Sequence, residues 1–94
     1  MTDRELLELA AKAAGIPLKP DFAERFDYYM ADKLMWNPLT DDGDALRLAV
    51  RLNILKNAYL ESWIAHEVGK GLDWYAATRR AITRAAAEIK KEMP

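Results

Sequence analysis

The chain has 94 residues, of which 51% are hydrophobic and 31% charged, and its net charge at pH 7 is −1. This composition is that of one small folded domain over residues 1–94 rather than a disordered chain. The absence of cysteine excludes disulfides, thiolate metal sites and cysteine nucleophiles. Charged residues interrupt every long apolar run, so we expect no signal peptide, no membrane contact and a soluble cytoplasmic protein.

Charge is divided unevenly between the two halves of the chain. Residues 1–50 carry six basic and ten acidic side chains, whereas residues 51–94 carry eight basic and five acidic ones. The halves could attract each other within one molecule, or two copies could pair head to tail. Chance variation among solvated surfaces is the simpler interpretation.

The first predicted element is a helix over residues 3–14. Thr2 and Glu5 form a capping box, and leucines and alanines recur behind it at helical spacing. Gly15 supplies a left-handed stop, and Pro17 prevents the helix from continuing.

The next segment, residues 16–37, allows two interpretations. Pro20 and Asp21 could open a short helix with an apolar face. That face would consist of Phe22, Phe26, Tyr29 and Met30. Alternatively, the aromatic and methionine side chains up to Trp36 line a buried, irregular segment; a binding surface is a further alternative, but core packing is the simpler one.

A rigid turn and a second helix follow. Pro38 restricts the residue before it to extended conformations, and Asp41 is placed as the N-cap of a helix over residues 42–52. The apolar face of this helix consists of Ala45, Leu48, Ala49 and Leu52. We expect Leu46 and Val50 to broaden that face. Two arginines mark the solvent side: Arg47 and Arg51.

Residues 53–72 decide the fold class, and their pattern is ambiguous. The runs 54–56 and 63–68 could be two short antiparallel strands followed by a glycine turn. A helix also fits this segment, with a face made of Leu55, Ala58, Tyr59 and Ser62. The small number of β-branched side chains slightly favours this helix.

The last predicted element is a helix over residues 74–92, with Asp73 as its N-cap. Its apolar stripe contains small residues that allow a close approach to a neighbouring element: Ala77, Ala81 and Ala85. Basic side chains occupy much of the remaining surface, among them Arg79, Arg80 and Arg84.

Three stretches of the chain resemble a group of small uncharacterised proteins encoded by tailed bacteriophages and prophages. They are, in chain order, TDRELLELAAKAAGI from Thr2, WNPLTDDGDALRLAV from Trp36 and YAATRRAITRAAAEI from Tyr75. The resemblance implies a phage α-β-α sandwich-like domain, in which a small sheet lies between helices. It brings no activity, cofactor or site residues with it.

With this resemblance, the predicted fold class is α+β. Helices at about 3–14, 42–52 and 74–92 would pack on a short antiparallel two-stranded sheet at about 54–68. This chain departs from the pattern of the phage and prophage proteins at residues 54–68, because that segment has no Asn-Gly or Asp-Gly turn. An all-α bundle is therefore the alternative.

No residue pattern indicates catalysis, a metal site or a cofactor. Asp41, Asp42 and Asp44 have the wrong spacing for a calcium loop and fit the start of a helix. His66 and Ser62 lie one helical turn apart, but no orienting acid, nucleophile elbow or oxyanion loop accompanies them. We therefore expect a protein that is not an enzyme and needs no cofactor.

The favoured hypothesis is a phage-encoded accessory protein that binds and modulates a host protein in the cytoplasm of the infected or lysogenic cell. Its candidate interaction residues are the three tryptophans: Trp36, Trp63 and Trp74. A small core does not readily bury three of them, and exposed tryptophan is a common interface anchor.

Two alternatives belong to other classes of protein. A nucleic-acid-associated protein would use Arg79, Arg80 and Arg84, although the near-neutral charge and the pI of about 5.8 disfavour it. A homodimer or larger homo-oligomer would pair the alanine-rich C-terminal helix between copies.

Overall fold

The computed structural model describes residues 2–20, 28–30 and 35–93. Within these ranges the chain forms four α-helices: α1 (Asp3–Ala14), α2 (Asp42–Arg51), α3 (Leu60–Gly69) and α4 (Trp74–Glu92). A 3₁₀ turn, Ile54–Lys56, lies between α2 and α3. The buried core is built almost entirely from these helical elements.

Capping residues set the start of three helices. The Thr2 hydroxyl accepts a hydrogen bond from the Glu5 amide at 3.2 Å, so the predicted capping box of α1 is confirmed. Asp41 accepts from the amide of Asp44, and Asp73 from that of Ala76, each at 2.8 Å. These bonds satisfy amides that have no partner inside their own helices.

The predicted bounds of α1 and α4 are confirmed, and α2 ends one residue earlier than expected. Gly15 closes α1 with a φ of 70°, a conformation that glycine adopts without steric cost. Asn53 ends the turn after α2 with a φ of 57°, which asparagine tolerates better than most residues.

Three very short strands connect α1 to α2. They are β1 (Leu18–Pro20), β2 (Tyr28–Met30) and β3 (Met35–Trp36), and they pair antiparallel in the order β1-β2-β3. The backbone of Tyr29 lies opposite Lys19 on one side and Met35 on the other. The short helix expected from Pro20 falls partly on residues 21–27, outside the described ranges, and its last residues are in β2.

The predicted sheet at about 54–68 is wrong, and with it the α+β fold class. These residues form the 3₁₀ turn and most of α3, so the packed body is all-helical. The side chains of α3 that face the molecule have helical spacing: Leu60, Trp63, Ile64 and Glu67. Asn57 helps to start the helix, because its side chain accepts the Tyr59 amide at 2.8 Å.

The fourth helix, α4, is the centre of the fold. It packs against α1, α2 and α3, and its longest contact is with α1. The side chains of Ala77, Ala81 and Ala85 are essentially inaccessible to solvent. Because alanine has no atoms beyond Cβ, the neighbouring helices approach closely, as the alanine stripe predicted.

Ala81→Leu should therefore destabilise the protein by roughly 1–3 kcal/mol, because the added atoms have no space between the packed helices. For a domain of this size, this corresponds to a fall in Tm of several degrees. The matched control is Ala65→Leu, at an exposed position of α3. Equal melting temperatures for the two variants would contradict close packing at Ala81.

Candidate functional site

The three tryptophans have different environments and do not form one cluster. Trp36 is buried, with 3% of its surface exposed, and belongs to the core. Trp63 is half-buried and packs against the core from α3. Trp74 is 65% exposed at the start of α4. Of the three, Trp74 alone has the exposure of an interface anchor.

Trp74 lies in a shallow apolar groove between the starts of α2 and α4. Its exposed apolar lining side chains are Leu46 (56%), Leu55 (56%), Trp74 (65%) and Tyr75 (73%), and the exposed carboxylate of Asp42 lies among them. We call this surface the Trp74 groove. It has a volume of about 330 Å³, and the buried side chains of Ala45 and Ile82 also line it.

Local hydrogen bonds position the two aromatic residues. The Asp73 cap fixes the first turn of α4, where Trp74 and Tyr75 are the first two residues. The Thr78 hydroxyl donates to the Trp74 carbonyl at 2.6 Å. Both aromatic side chains therefore start from a well-defined helix end rather than from a loop.

Arg79 ties the two walls of the Trp74 groove together. Its Nε donates to the Leu39 carbonyl at 2.9 Å, and its Nη1 donates to Asp42 Oδ1 at 2.7 Å. The arginine side chain is largely buried. Arg79 thus joins α4 to the turn before α2 and to the first turn of α2, which fixes the spacing of the groove walls.

Arg80 has a different internal role. Its Nη1 donates to Asp3 Oδ1 at 2.7 Å, which links α4 to the start of α1. Its Nε lies 3.6 Å from Oε2 of Glu67, and Lys70 Nζ lies 3.9 Å from the other oxygen. Since Glu67 is buried, these cations offset the desolvation of its carboxylate.

Arg84 is exposed, and it forms no ion pair within the ranges that the structure describes. It lines a cavity of about 240 Å³ with Arg80, Glu67 and other charged residues of α3 and α4. The three candidate arginines are therefore not equivalent. Two of them are held in contacts between helices, so they do not form a continuous basic surface with the third.

A second apolar concavity adjoins the Trp74 groove on the other side of Leu46. It has a volume of about 500 Å³ and is lined by Ile16, Trp36, Leu46, Arg47, Leu48, Val50 and Arg51. Val50 is 60% exposed here. Leu46 and Val50 were expected to broaden the core face of α2, but they lie outside the core. Their position on the helix turns them toward the side that also carries the arginines.

The acidic stretch at the start of α2 has a structural role. Asp41 caps the helix, and the buried Asp44 carboxylate accepts the Asn37 amide at 3.0 Å. Arg47 donates to the same carboxylate at 2.7 Å. The described residues contain no group of three or more histidine, cysteine or acidic side chains suited to hold a metal ion.

His66 and Ser62 lie on the exposed side of α3. No hydrogen bond joins them in the described part of the chain, and neither lines the Trp74 groove.

Sequence reasoning did not select Leu46, Leu55 or Tyr75 as surface residues. The signal available for Tyr75 was its place next to Trp74 in the first turn of α4, outside the alanine stripe. For Leu46, the signal was its offset by about one third of a turn from the centre of the core face.

Comparison of the chain with protein-family models, with curated proteins and with known structures gave no match. The resemblance to phage and prophage proteins therefore stays a prediction. Within the described residues, no helix is both long and apolar enough to cross a bilayer.

Replacing Arg80 and Arg84 separately should change the free energy of unfolding by different amounts, because Arg80 makes contacts between helices and Arg84 faces solvent. Arg80→Ala should lower the free energy of unfolding by roughly 1–3 kcal/mol, because it weakens the compensation of the buried Glu67 carboxylate. Arg84→Ala should change it by no more than about 0.5 kcal/mol. Urea unfolding followed by circular dichroism measures both; equal losses would contradict the internal role of Arg80.

Proposed function

We propose that this chain is a non-enzymatic accessory domain that binds another protein through the Trp74 groove. The observation that carries the proposal is the exposure of Trp74 and Tyr75 beside two exposed leucines. Each of these side chains would leave water on binding, with a gain of about 25 cal/mol per Å² of apolar surface.

The composition of the groove supports protein binding over other uses. Tryptophan and tyrosine are enriched among interface residues that dominate binding energy, and contiguous exposed apolar patches mark interaction sites. From their exposed fractions, Trp74 and Tyr75 would each bury on the order of 100–150 Å². A typical partner contributes roughly 800 Å². The groove would therefore form the centre of a larger contact.

The groove is also held in shape before binding. The Asp73 cap fixes the start of α4, and Arg79 bridges from α4 to the start of α2. A surface that is already ordered loses less conformational entropy when it binds. The groove can therefore bind a folded partner or an apolar helix without first rearranging its own walls.

The identity of the partner rests on the resemblance to phage and prophage proteins. On that basis the partner is a host protein, whose activity the domain modulates in the host cytoplasm. The apolar lining of the groove requires the partner to present at least one large apolar side chain.

Affinity capture from a lysate of the host bacterium, with cross-linking and mass spectrometry, tests this function. The wild-type chain should retain a partner that Trp74→Ala loses, because truncating a central aromatic anchor typically weakens binding by about 30-fold or more. The matched control is Tyr59→Ala. Tyr59 is as exposed as Trp74 but lies outside the groove.

Unchanged thermal unfolding of both variants would show that the loss concerns binding alone. Equal retention of the same proteins by wild type and Trp74→Ala would refute the groove as the binding surface. If Tyr59→Ala lost the captured partner to the same extent as Trp74→Ala, the contact would not be confined to the Trp74 groove.

A further inference from the structure

A cavity with charged walls lies between α1, α3 and α4. Its volume is about 240 Å³, several times the share of about 30 Å³ that one water molecule occupies in the liquid. Among the residues that the structure describes, one apolar side chain, Leu6, lines it, and the other lining side chains are all charged. They are Glu67, Lys70, Arg80, Arg84, Glu88 and Lys91. We call this cavity the Glu67 cavity.

Basic side chains outnumber acidic ones on the walls of the Glu67 cavity. Of the described lining residues, four are basic and two are acidic. Asp3 also belongs to the network, because it pairs with Arg80 at 2.7 Å, although it does not line the cavity. One positive charge remains in excess even when Asp3 is counted. The walls therefore favour an anion over a cation.

Arg84 carries the charge that is not compensated. Lys91 Nζ lies 3.4 Å from Glu88 Oε1, whereas Arg84 forms no ion pair with any residue that the structure describes. Arg84 also borders a wider concavity that Glu92 lines, but no contact joins the two side chains. Its guanidinium is thus available to an anion in the Glu67 cavity.

Glu67 presents an unfilled hydrogen-bond acceptor to the same cavity. The residue is 3% exposed, and its two carboxylate oxygens lie 3.6 Å from Arg80 Nε and 3.9 Å from Lys70 Nζ. Both distances are longer than hydrogen bonds, and the side chain forms no hydrogen bond with the described residues. Every fully enclosed side-chain nitrogen or oxygen of those residues has a partner, so the Glu67 carboxylate is open to the cavity. Because a carboxylate only accepts hydrogen bonds, the occupant must supply a donor.

We propose that the Glu67 cavity binds a small phosphate group that still carries a proton. Its anionic oxygens accept hydrogen bonds from Arg84 and the neighbouring lysines, and its P–OH group donates to Glu67. Phosphate combines negative charge with a donor, because a phosphate monoester loses its second proton only at about pH 6. Sulfate has no proton near that pH, so its oxygens would meet the Glu67 carboxylate as acceptors. An ammonium ligand would supply donors but would meet the excess of cations.

Amide chemical shifts of the isotope-labelled full chain, measured by NMR, test the site with inorganic phosphate, glycerol phosphate and sulfate. The titrations are made at constant ionic strength and about pH 6, where a phosphate monoester is about half protonated. Inorganic phosphate should bind with a Kd on the order of 1 mM, and at least about tenfold more tightly than sulfate, since sulfate lacks the hydrogen bond to Glu67. Equal affinities for phosphate and sulfate would overturn the proposal, and so would the absence of phosphate binding.

Glycerol phosphate distinguishes the two sources of a phosphate group. If it binds as tightly as inorganic phosphate, the ligand class is a phosphate monoester. If inorganic phosphate alone binds, the ligand is the free ion. Either result supports the cavity as a phosphate site, because both ligands offer the same group to Arg84 and Glu67.

Arg84→Ala should weaken phosphate binding by about tenfold, because it removes the lining cation that has no ion pair. The matched control is Lys90→Ala, which removes the same charge from α4 at a position that does not line the cavity. The control should change the affinity by less than about twofold, since salt screens a distant exposed charge. Equal losses in the two variants would show a general attraction of anions to α4 and would overturn the site.

Glu67→Gln tests the hydrogen bond that selects phosphate. The glutamine amide donates as well as accepts, so sulfate should bind this variant about as tightly as phosphate does. A preference for phosphate that persists in the variant would overturn the role of Glu67. Circular dichroism establishes whether the variant is folded; if it is not, the sulfate comparison on wild type and Arg84→Ala decide the proposal.

Phosphate binding is independent of the function proposed for the Trp74 groove. The Glu67 cavity and the groove share no lining residue within the described part of the chain. Trp74→Ala should therefore leave phosphate binding unchanged, and Arg84→Ala should leave capture of a protein partner unchanged. If Trp74→Ala weakened phosphate binding, the phosphate site would not be the Glu67 cavity.

Discussion

The close packing of α4 against three other helices is the constraint on which the rest of the structure depends. That packing is achieved with alanine: Ala77, Ala81 and Ala85 fill the space where larger side chains would hold the helices apart. A core made of small residues leaves little interior volume. Large apolar side chains that do not fit there remain outside, and Trp74, with Tyr75 beside it, is the clearest example.

The same constraint explains the use of charge. Arginines next to the alanine stripe on α4 lie close to the neighbouring helices, so they form ion pairs with them. Arg79 contacts Asp42, and Arg80 contacts Asp3 and Glu67. Charges that look like one basic helix in the sequence are thus divided between internal contacts and a single solvent-facing arginine. A count of basic residues along a helix does not predict a basic surface.

Local sequence signals predicted where the helices begin. The secondary structure of residues 54–68 depends on packing against distant parts of the chain, and it was not predicted. The caps at Thr2, Asp41 and Asp73 act through hydrogen bonds within four residues, and a pattern in the sequence is sufficient to recognise them. The sheet expected at about 54–68 rested on a resemblance, against a helical spacing that was already visible. The segment is helical, but another side of it packs: Leu60 and Trp63 contact the core. The expected face of Leu55, Ala58, Tyr59 and Ser62 is exposed.

The candidate site was predicted only in part, for a related reason. Periodicity gives the direction of a helix's apolar face, but the width of that face depends on how neighbouring helices cover it. Leu46 and Val50 look like an extension of the α2 core face until the positions of the other elements are known. Trp74 could be selected from its residue type, whereas its groove requires Leu55 from a separate turn.

Leu46 connects the two surfaces, because it lines both the Trp74 groove and the concavity along α2. A partner seated in the Trp74 groove would cover this side chain, and so would a partner seated in the concavity. Binding at the two surfaces would therefore be mutually exclusive at Leu46 by steric overlap. By linkage, occupation of either surface would weaken binding at the other by the same factor in both directions.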